Sequence, residues 1–299
     1  MTNTLPVKKR KIPGWLKLGL KIIVSAACLW YVSGKIDFTK AGAALRSANW
    51  LYLVLALAAF VVSKWLSALR LNIYFRNTGL RLPEWTNTKL YWLGMFYNLL
   101  LPGSISGDAY KVILLTRRYQ VPYRKTTAAV LLDRFSGLLG LALILAAYGV
   151  VVLDGLYTAA AVGGALLGVA VFYFIVRRYL ADFLASFFPT LFWGLLVQGS
   201  QVVCTYLIMA ALGIPVHATG YVFIFLVSSV AAVLPLTVGG LGIREIVFLE
   251  GSRYFSLVEE NSVIVSILFY LITLFTSLWG LLYVFRDPLK TEEPAGDPH

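Results

Sequence analysis

The chain has few charged residues, and that scarcity bounds its class. Only 13% of its 299 residues are charged, whereas soluble proteins average about 25%. Hydrophobic residues make up 59% of the chain. A soluble protein of this size could not bury so much apolar surface, so the composition predicts an integral membrane protein.

Cysteine and histidine are almost absent. Cys28 and Cys204 both lie in apolar stretches, and the only histidines are His217 and His299. This set predicts neither a disulfide nor a zinc site. The sequence also has no nucleotide-binding loop. We therefore expect no metal and no cofactor.

Acidic residues are scarce as well. There are 14 acidic residues against 26 basic ones, which gives a net charge of +12. In a soluble protein this balance would suggest nucleic acid, but in a membrane protein basic residues mark cytoplasmic loops and face anionic lipids. We expect a membrane phospholipid or another lipid-linked substrate as partner, and no nucleic acid. A homo-oligomer stays open as an alternative.

Long apolar runs are what the sequence does have. Two of the apolar regions are interrupted, 88–118 by LPGSISGD at 101–108 and 220–256 by LPLTVGGLG at 234–242. Proline and glycine disfavour continuous helix, and each remaining piece is too short to cross a bilayer. These regions therefore predict helical hairpins that enter and leave the membrane on one side. Six uninterrupted runs have the length of a span: 15–34, 50–70, 126–152, 156–176, 191–212 and 262–285.

The basic residues predict the orientation. With the N-terminus in the cytoplasm and both broken regions folded back, most basic residues fall in cytoplasmic segments, including the segments 70–89 and 117–125. The protein is thus expected in the cell (inner) membrane, multi-pass, with both termini cytoplasmic. The domain prediction is a basic N-terminus at 1–14, one transmembrane domain at 15–286 and a polar tail at 287–299.

An internal repeat relates the two broken regions. Leu101-Pro102 recurs as Leu234-Pro235, Gly107 as Gly240, and Lys111 as the cation Arg244, each 133 residues later. The repeat halves are about 15–152 and 156–285. Each half contains three spans, and because this number is odd, the second half has the opposite orientation in the membrane. Inverted repeats with broken helices are typical of transporters that bind substrate near the midplane. The fold class predicted is an all-α polytopic membrane protein, with about six spanning helices and two re-entrant hairpins in an inverted repeat.

Charged residues near the two breaks are the candidate site. Ionisable groups at such depth are costly and often functional, although they could also pair with one another and lock the bundle. We expect Asp133 to meet a cation from a hairpin, and Lys64 to reach the interface by snorkelling. Two helix N-termini at the breaks would attract phosphate. The substrate-binding candidates are Ser104, Ser106, Gly107, Asp108, Lys111, Asp133, Arg134, Thr237, Gly239, Gly240, Gly242, Arg244 and Glu245.

Three segments resemble a known family. GDAYKVILL at 107–115, LLDRFSGLLGL at 131–141 and LPLTVGGLGIREIVF at 234–248 resemble hallmark segments of the lysylphosphatidylglycerol synthase transmembrane region. That family includes the flippase domain of the multiple peptide resistance factor and stand-alone relatives. The resemblance implies lipid translocation between leaflets, with the motif positions Asp108, Asp133, Arg134, Arg244 and Glu245 carried over. The chain ends soon after Arg286, so we expect no soluble aminoacyltransferase domain and no lipid synthesis.

The leading hypothesis is a lipid flippase or translocase, not an enzyme, that binds a phosphate-containing headgroup at mid-membrane. One alternative is a secondary transporter of a small anionic solute. Another is an intramembrane enzyme acting on lipid-linked phosphate, although the sequence offers no nucleophile–histidine pair for it. The last alternative is a protein that transports nothing and acts as a partner or regulator of another membrane protein.

Overall fold

A computed structural model describes residues 19, 22–23, 26, 30, 33–34, 38–100, 106–215, 219–233, 237 and 240–289. Within these ranges the chain is helical, with turns and short connections, and no strand occurs. The helices are α1 Phe38–Arg46, α2 Trp50–Asn77, α3 Glu84–Leu100, α4 Ser106–Tyr119, α5 Tyr123–Val152, α6 Gly155–Tyr179, α7 Phe187–Ala211, α8 Thr219–Val233, α9 Ile243–Tyr254 and α10 Glu259–Leu278. Two 3-10 turns, Ala181–Ser186 and Trp279–Tyr283, precede α7 and follow α10.

Five of the six predicted spans are present in the described part of the chain. Five segments are long and apolar enough to cross a membrane: Trp50–Asn77, Tyr123–Val152, Gly155–Tyr179, Ala181–Ala211 and Glu259–Tyr283. They correspond to five of the six predicted runs, and the sixth, 15–34, lies mostly outside the described residues. The protein is therefore an all-α polytopic membrane protein.

Both interrupted regions fold back as antiparallel helix pairs, as predicted. In the first hairpin, α3–α4, the rings of Tyr97 and Tyr110 are 4.9 Å apart and Gly107 packs against the backbone of Gly94. In the second hairpin, α8–α9, the rings of Phe223 and Phe255 are 5.8 Å apart. The first arm and second arm thus run in opposite directions beside each other.

The two hairpins open at opposite ends of the bundle. Beside the open end of the first hairpin, Lys125 at the start of α5 pairs with Asp182 at 2.9 Å. At the far end of α5, Leu153 lines a cavity with Phe223 and Tyr254, which belong to the open end of the second hairpin. Because α5 runs the length of the bundle, the hairpins enter from its two ends.

Basic residues concentrate at one of these ends, which we call the basic end. By the positive-inside rule we expect it to face the cytoplasm. The described residues at the opposite end include only Lys40, Arg46 and Arg253 as cations. The basic end carries Arg76, Arg81, Lys89, Arg117, Arg118, Arg124, Lys125, Arg177, Arg178 and Arg286.

Equivalent helices of the two halves of the chain make equivalent contacts. The central helices α2 and α7, the second span of each half, pack against each other. The first arm of each hairpin packs against the last span of the other half, α3 on α10 and α8 on α5. The second arm packs against the last span of its own half. The predicted inverted repeat would produce this equivalence of contacts between the two halves.

A polar layer divides the core at the middle of the spans. One apolar cluster contains Phe60, Ile208 and Phe225, and another, nearer the basic end, contains Phe75 and Phe187. Between them, near the centre of α2, α5 and α7, lie polar side chains, most of which are buried. We define the polar layer by Ser63, Lys64, Ser67, Arg70, Asp133, Arg134, Ser136, Gln198 and Gln201 on these helices, with Asp108, Lys111, Arg244 and Glu245 from the hairpins.

Candidate functional site

A buried ion pair joins two spans within the polar layer. The Nε of Arg70 on α2 donates to an Oδ1 of Asp133 on α5 at 2.8 Å, and their side chains are only 5% and 11% exposed. Gly137 and Gly194 leave room for the guanidinium, since a Cβ on either would lie 3.1–3.5 Å from its Nη1. This pair fixes the distance between the two helices.

The location of Arg70 corrects two expectations. The sequence placed this residue in the basic segment 70–89 outside the membrane, and expected Asp133 to meet a hairpin cation. Instead α2 continues to Asn77, and Arg70 is buried on the helix face that also carries Ser63 and Ser67. The spacing of these polar residues at three and four positions is the helical signal that could have identified Arg70 as an interior residue.

A second ion-paired group lies at the turn of the first hairpin. Asp108 accepts from the Nζ of Lys111 at 3.1 Å and also accepts a hydrogen bond from the Nε of Arg134 on α5. The ammonium of Lys111 lies 4.5 Å from the centre of the Tyr91 ring. Asp108 therefore pairs with two cations, although its single charge balances only one of them, and it connects the hairpin to a span.

Arg244, at the second hairpin, has different surroundings. Its Nη1 donates to Ser229 at 3.2 Å and to Ser228 at 3.4 Å, and its guanidinium lies 5.3 Å from the centre of the Phe269 ring. The adjacent Glu245 is fully buried and points elsewhere, because it accepts from the backbone of Gly242 at 2.6 Å and from Ser266 at 2.8 Å. Its carboxylate closes the first turn of α9.

Lys64 lies near Arg244 and does not snorkel to an interface. It stands near the middle of α2, and its Nζ lies 4.5 Å from the centre of the Phe60 ring one turn away. It is within electrostatic range of Arg244 and Arg70, all of the same sign. In the described part of the chain, neither Lys64 nor Arg244 has a carboxylate within ion-pair distance.

The difference between the two hairpins follows from the repeat. Asp108 precedes Lys111 by three residues and pairs with it on one helix face. At the same offset of 133, the position equivalent to Asp108 is Leu241, three residues before Arg244. The second hairpin therefore keeps the cation and lacks its counter-charge, a difference that the sequence contains.

The remaining candidates have mostly structural contacts. Ser106 begins α4, and the backbone N–H of Gly107 donates to Asn98 at 2.9 Å. Gly240 and Gly242 have positive φ angles of 86° and 90°. The side chain of Thr237 is buried, and its hydroxyl has no hydrogen-bond partner among the described residues. Ser104 and Gly239 lie outside the described residues.

The helix N-termini are less open than expected. One N–H of each is already satisfied, by Asn98 at α4 and by Glu245 at α9. The side-chain cations, rather than bare helix ends, are thus the stronger anion-binding groups. No three metal-ligating side chains of the described ranges lie together as a metal site.

The charge balance of the polar layer favours an anion. Five cations face three carboxylates, which leaves an excess of two positive charges, and among the described residues Lys64 and Arg244 are the two of these cations with no carboxylate within ion-pair distance. Charges buried without a partner are costly, so such positions are normally matched by an opposite charge. The five cations are Lys64, Arg70, Lys111, Arg134 and Arg244, and the three carboxylates are Asp108, Asp133 and Glu245.

Comparison with known families agrees with the three sequence motifs. A comparison with curated proteins gives no significant match. The family model for the lysylphosphatidylglycerol synthase TM region matches residues 18–280, which covers most of the chain and includes both hairpins. The protein therefore belongs to the lysylphosphatidylglycerol synthase transmembrane region family.

Proposed function

We propose that the protein is a lipid translocase that binds the phosphate of a lipid headgroup between Lys64 and Arg244, in the middle of the membrane. The observation that carries this proposal is the pair of interior cations without a carboxylate partner among the described residues. A phosphodiester supplies the missing negative charge and accepts hydrogen bonds from both groups. Ser228 and Ser229 already orient the guanidinium of Arg244.

The two hairpins support a path across the membrane. The first turns of α4 and α9 carry Asp108 and Arg244 into the polar layer from opposite ends of the bundle, so a headgroup at mid-depth would lie between both. Broken helices that meet at the midplane are the usual construction of substrate sites in transporters. Family membership supports the same function, because the family's membrane domain includes lipid flippases by the resemblance described above.

Lipid transfer in reconstituted vesicles tests the proposal. Arg244→Gln and Lys64→Met should each slow the movement of fluorescent phosphatidylglycerol between leaflets by roughly tenfold, because a charge-assisted hydrogen bond contributes about 1.5–3 kcal/mol. The matched control is Arg253→Gln on the same helix, whose side chain is paired with Glu250 and Glu259 at the far end. We expect the control to transfer lipid at nearly the original rate.

Two outcomes would reject the proposal. One is unchanged lipid transfer in both Arg244→Gln and Lys64→Met when each variant remains folded. The other is uptake of a small anion by the vesicles without lipid transfer, which would favour a solute transporter using the same two cations.

A further inference from the structure

A groove on the outer surface of the bundle lies between the second arm of the first hairpin and α5. Its volume is about 170 Å³. Ala109, Tyr123 and Leu131 are exposed along it, so the groove opens on the surface that faces lipid. Its walls are Asp108, Ala109, Val112, Tyr123, Thr127, Val130, Leu131 and Arg134.

Polar groups follow one face of α5 along this groove. Tyr123, Thr127 and Arg134 are spaced by four and seven residues, which places them in one row. The hydroxyl of Thr127 is buried and has no hydrogen-bond partner in the described ranges. Arg134 pairs with Asp108, but a third of its side-chain surface remains exposed. The row thus offers a hydroxyl without a protein partner in the described ranges and a partly exposed arginine side chain.

The row runs from the basic end to mid-depth. Tyr123 begins α5 beside Arg124 and Lys125. Arg134 follows eleven residues later, which is about 16 Å along the helix. Arg134 is paired with Asp108, and about a third of its side chain is still exposed on the groove. A cationic side chain at this depth would attract an anionic group that reaches the groove from the membrane.

We propose that this groove is the lateral entry path for the headgroup of an anionic phospholipid from the leaflet at the basic end. The headgroup phosphate moves along α5 to Arg134, and Thr127 donates a hydrogen bond midway. The acyl chains stay in the bilayer through the open side, since the volume suits only a compact headgroup. This inference rests on the proposed translocase function and names the class of lipid and its point of entry.

The test measures lipid binding rather than transport. The photo-crosslinking residue benzoylphenylalanine replaces Ala109 in the full chain, and separately Ala160, which is exposed on α6 away from the groove. Nanodiscs contain phosphatidylglycerol and phosphatidylcholine in equal amounts with identical chains. We expect adducts at 109 to be enriched in phosphatidylglycerol by roughly threefold over those at 160, as one added hydrogen bond would give. Equal composition at both positions indicates bulk lipid only and overturns the proposal.

Neighbouring threonines provide a matched pair for the hydroxyl. Thr127→Val should reduce the phosphatidylglycerol enrichment at 109 without lowering thermal stability, because the Thr127 hydroxyl has no protein partner among the described residues. Thr126 is fully buried beside Thr116 and Pro122, and Thr126→Val should leave the enrichment intact. Enrichment that is insensitive to Thr127→Val, or equally reduced by Thr126→Val, overturns the assigned role of this hydroxyl.

The two proposals fail separately. Loss of enrichment at 109 with lipid transfer still dependent on Lys64 and Arg244 would reject the groove and keep the translocase function. Enrichment at 109 with transfer independent of those cations would reject the mid-membrane site and keep the groove as a lipid-binding surface.

Discussion

Lys64 and Arg70 lie six residues apart on α2 but have different electrostatic surroundings. The charge of Arg70 is matched by Asp133 at 2.8 Å, whereas Lys64 lies over an aromatic ring and near another cation. Removing one member of a buried pair leaves an uncompensated charge, which costs more than removing both. The paired residues therefore hold the bundle together, while the uncompensated ones are suited to binding.

The Arg70–Asp133 pair gives a prediction about stability. Asp133→Asn should lower the free energy of unfolding by about 3 kcal/mol, because it strands the buried guanidinium. The double variant Arg70→Met with Asp133→Leu should lose much less. Reversible unfolding in mixed detergent micelles measures both.

The control for this prediction is an exposed pair. Arg76→Met breaks the contact with Glu84 at the basic end, where both side chains are about half exposed, and should cost less than about 1 kcal/mol. If the double variant were as unstable as the sum of its two single variants, the Arg70–Asp133 contact would not be the source of the stability.

At the scale of elements, close backbone approach determines how the first hairpin closes. Gly94 and Gly107 face each other where α3 and α4 meet, and Lys111 covers Gly94. Small residues let helices approach in membranes, where packing replaces the hydrophobic effect as the source of association. Glycine by itself does not mark such a contact, since Gly163 and Gly164 on α6 have no neighbour within 4 Å.

Gly107→Ala tests this closure. A Cβ at Gly107 would lie 1.9 Å from the carbonyl oxygen of Gly94, so the arms must separate. We expect a loss of about 3 kcal/mol in unfolding free energy and a lower melting temperature in detergent. Gly163→Ala is the matched control and should change stability by less than about 0.5 kcal/mol. Equal stability of the two variants would contradict the close approach.

At the scale of the whole molecule, the bundle has two apolar clusters with a polar layer between them. The hairpins bring charge into this layer from opposite ends, and the spans α2, α5 and α7 supply the rest. An apolar cluster lies on each side of the polar layer, so the layer is flanked by protein of low polarity. Electrostatic interactions there are stronger than at a surface, which favours binding of a charged headgroup.

Accessibility of single cysteines tests the orientation of the bundle. In a chain without Cys28 and Cys204, Gly79→Cys and Gln120→Cys should react from the same side of the membrane, which we expect to be the cytoplasm. Asp154→Cys and Ser256→Cys should react from the other side. Labelling of positions 79 and 120 from opposite sides would rule out the first hairpin as a re-entrant element, and the transport path with it.

The composition and order of residues determined much of this protein. Apolar runs of about 20 residues specify spans because a bilayer core has that thickness, and proline with clustered glycine specifies the breaks. The repeat spacing and the change from Asp108 to Leu241 also show, from sequence alone, where a counter-charge is lost. These features are local or periodic, so no knowledge of the packed chain is needed to find them.

Only the tertiary structure decided which charges pair. Arg70 and Asp133 are 63 residues apart, and their contact depends on how α2 and α5 are rotated against each other. The same rotation leaves Lys64 over the Phe60 ring and within electrostatic range of Arg244, and leaves Arg134 partly exposed. Helix rotation is set by packing of all the neighbouring helices together, which a sequence read one segment at a time does not contain.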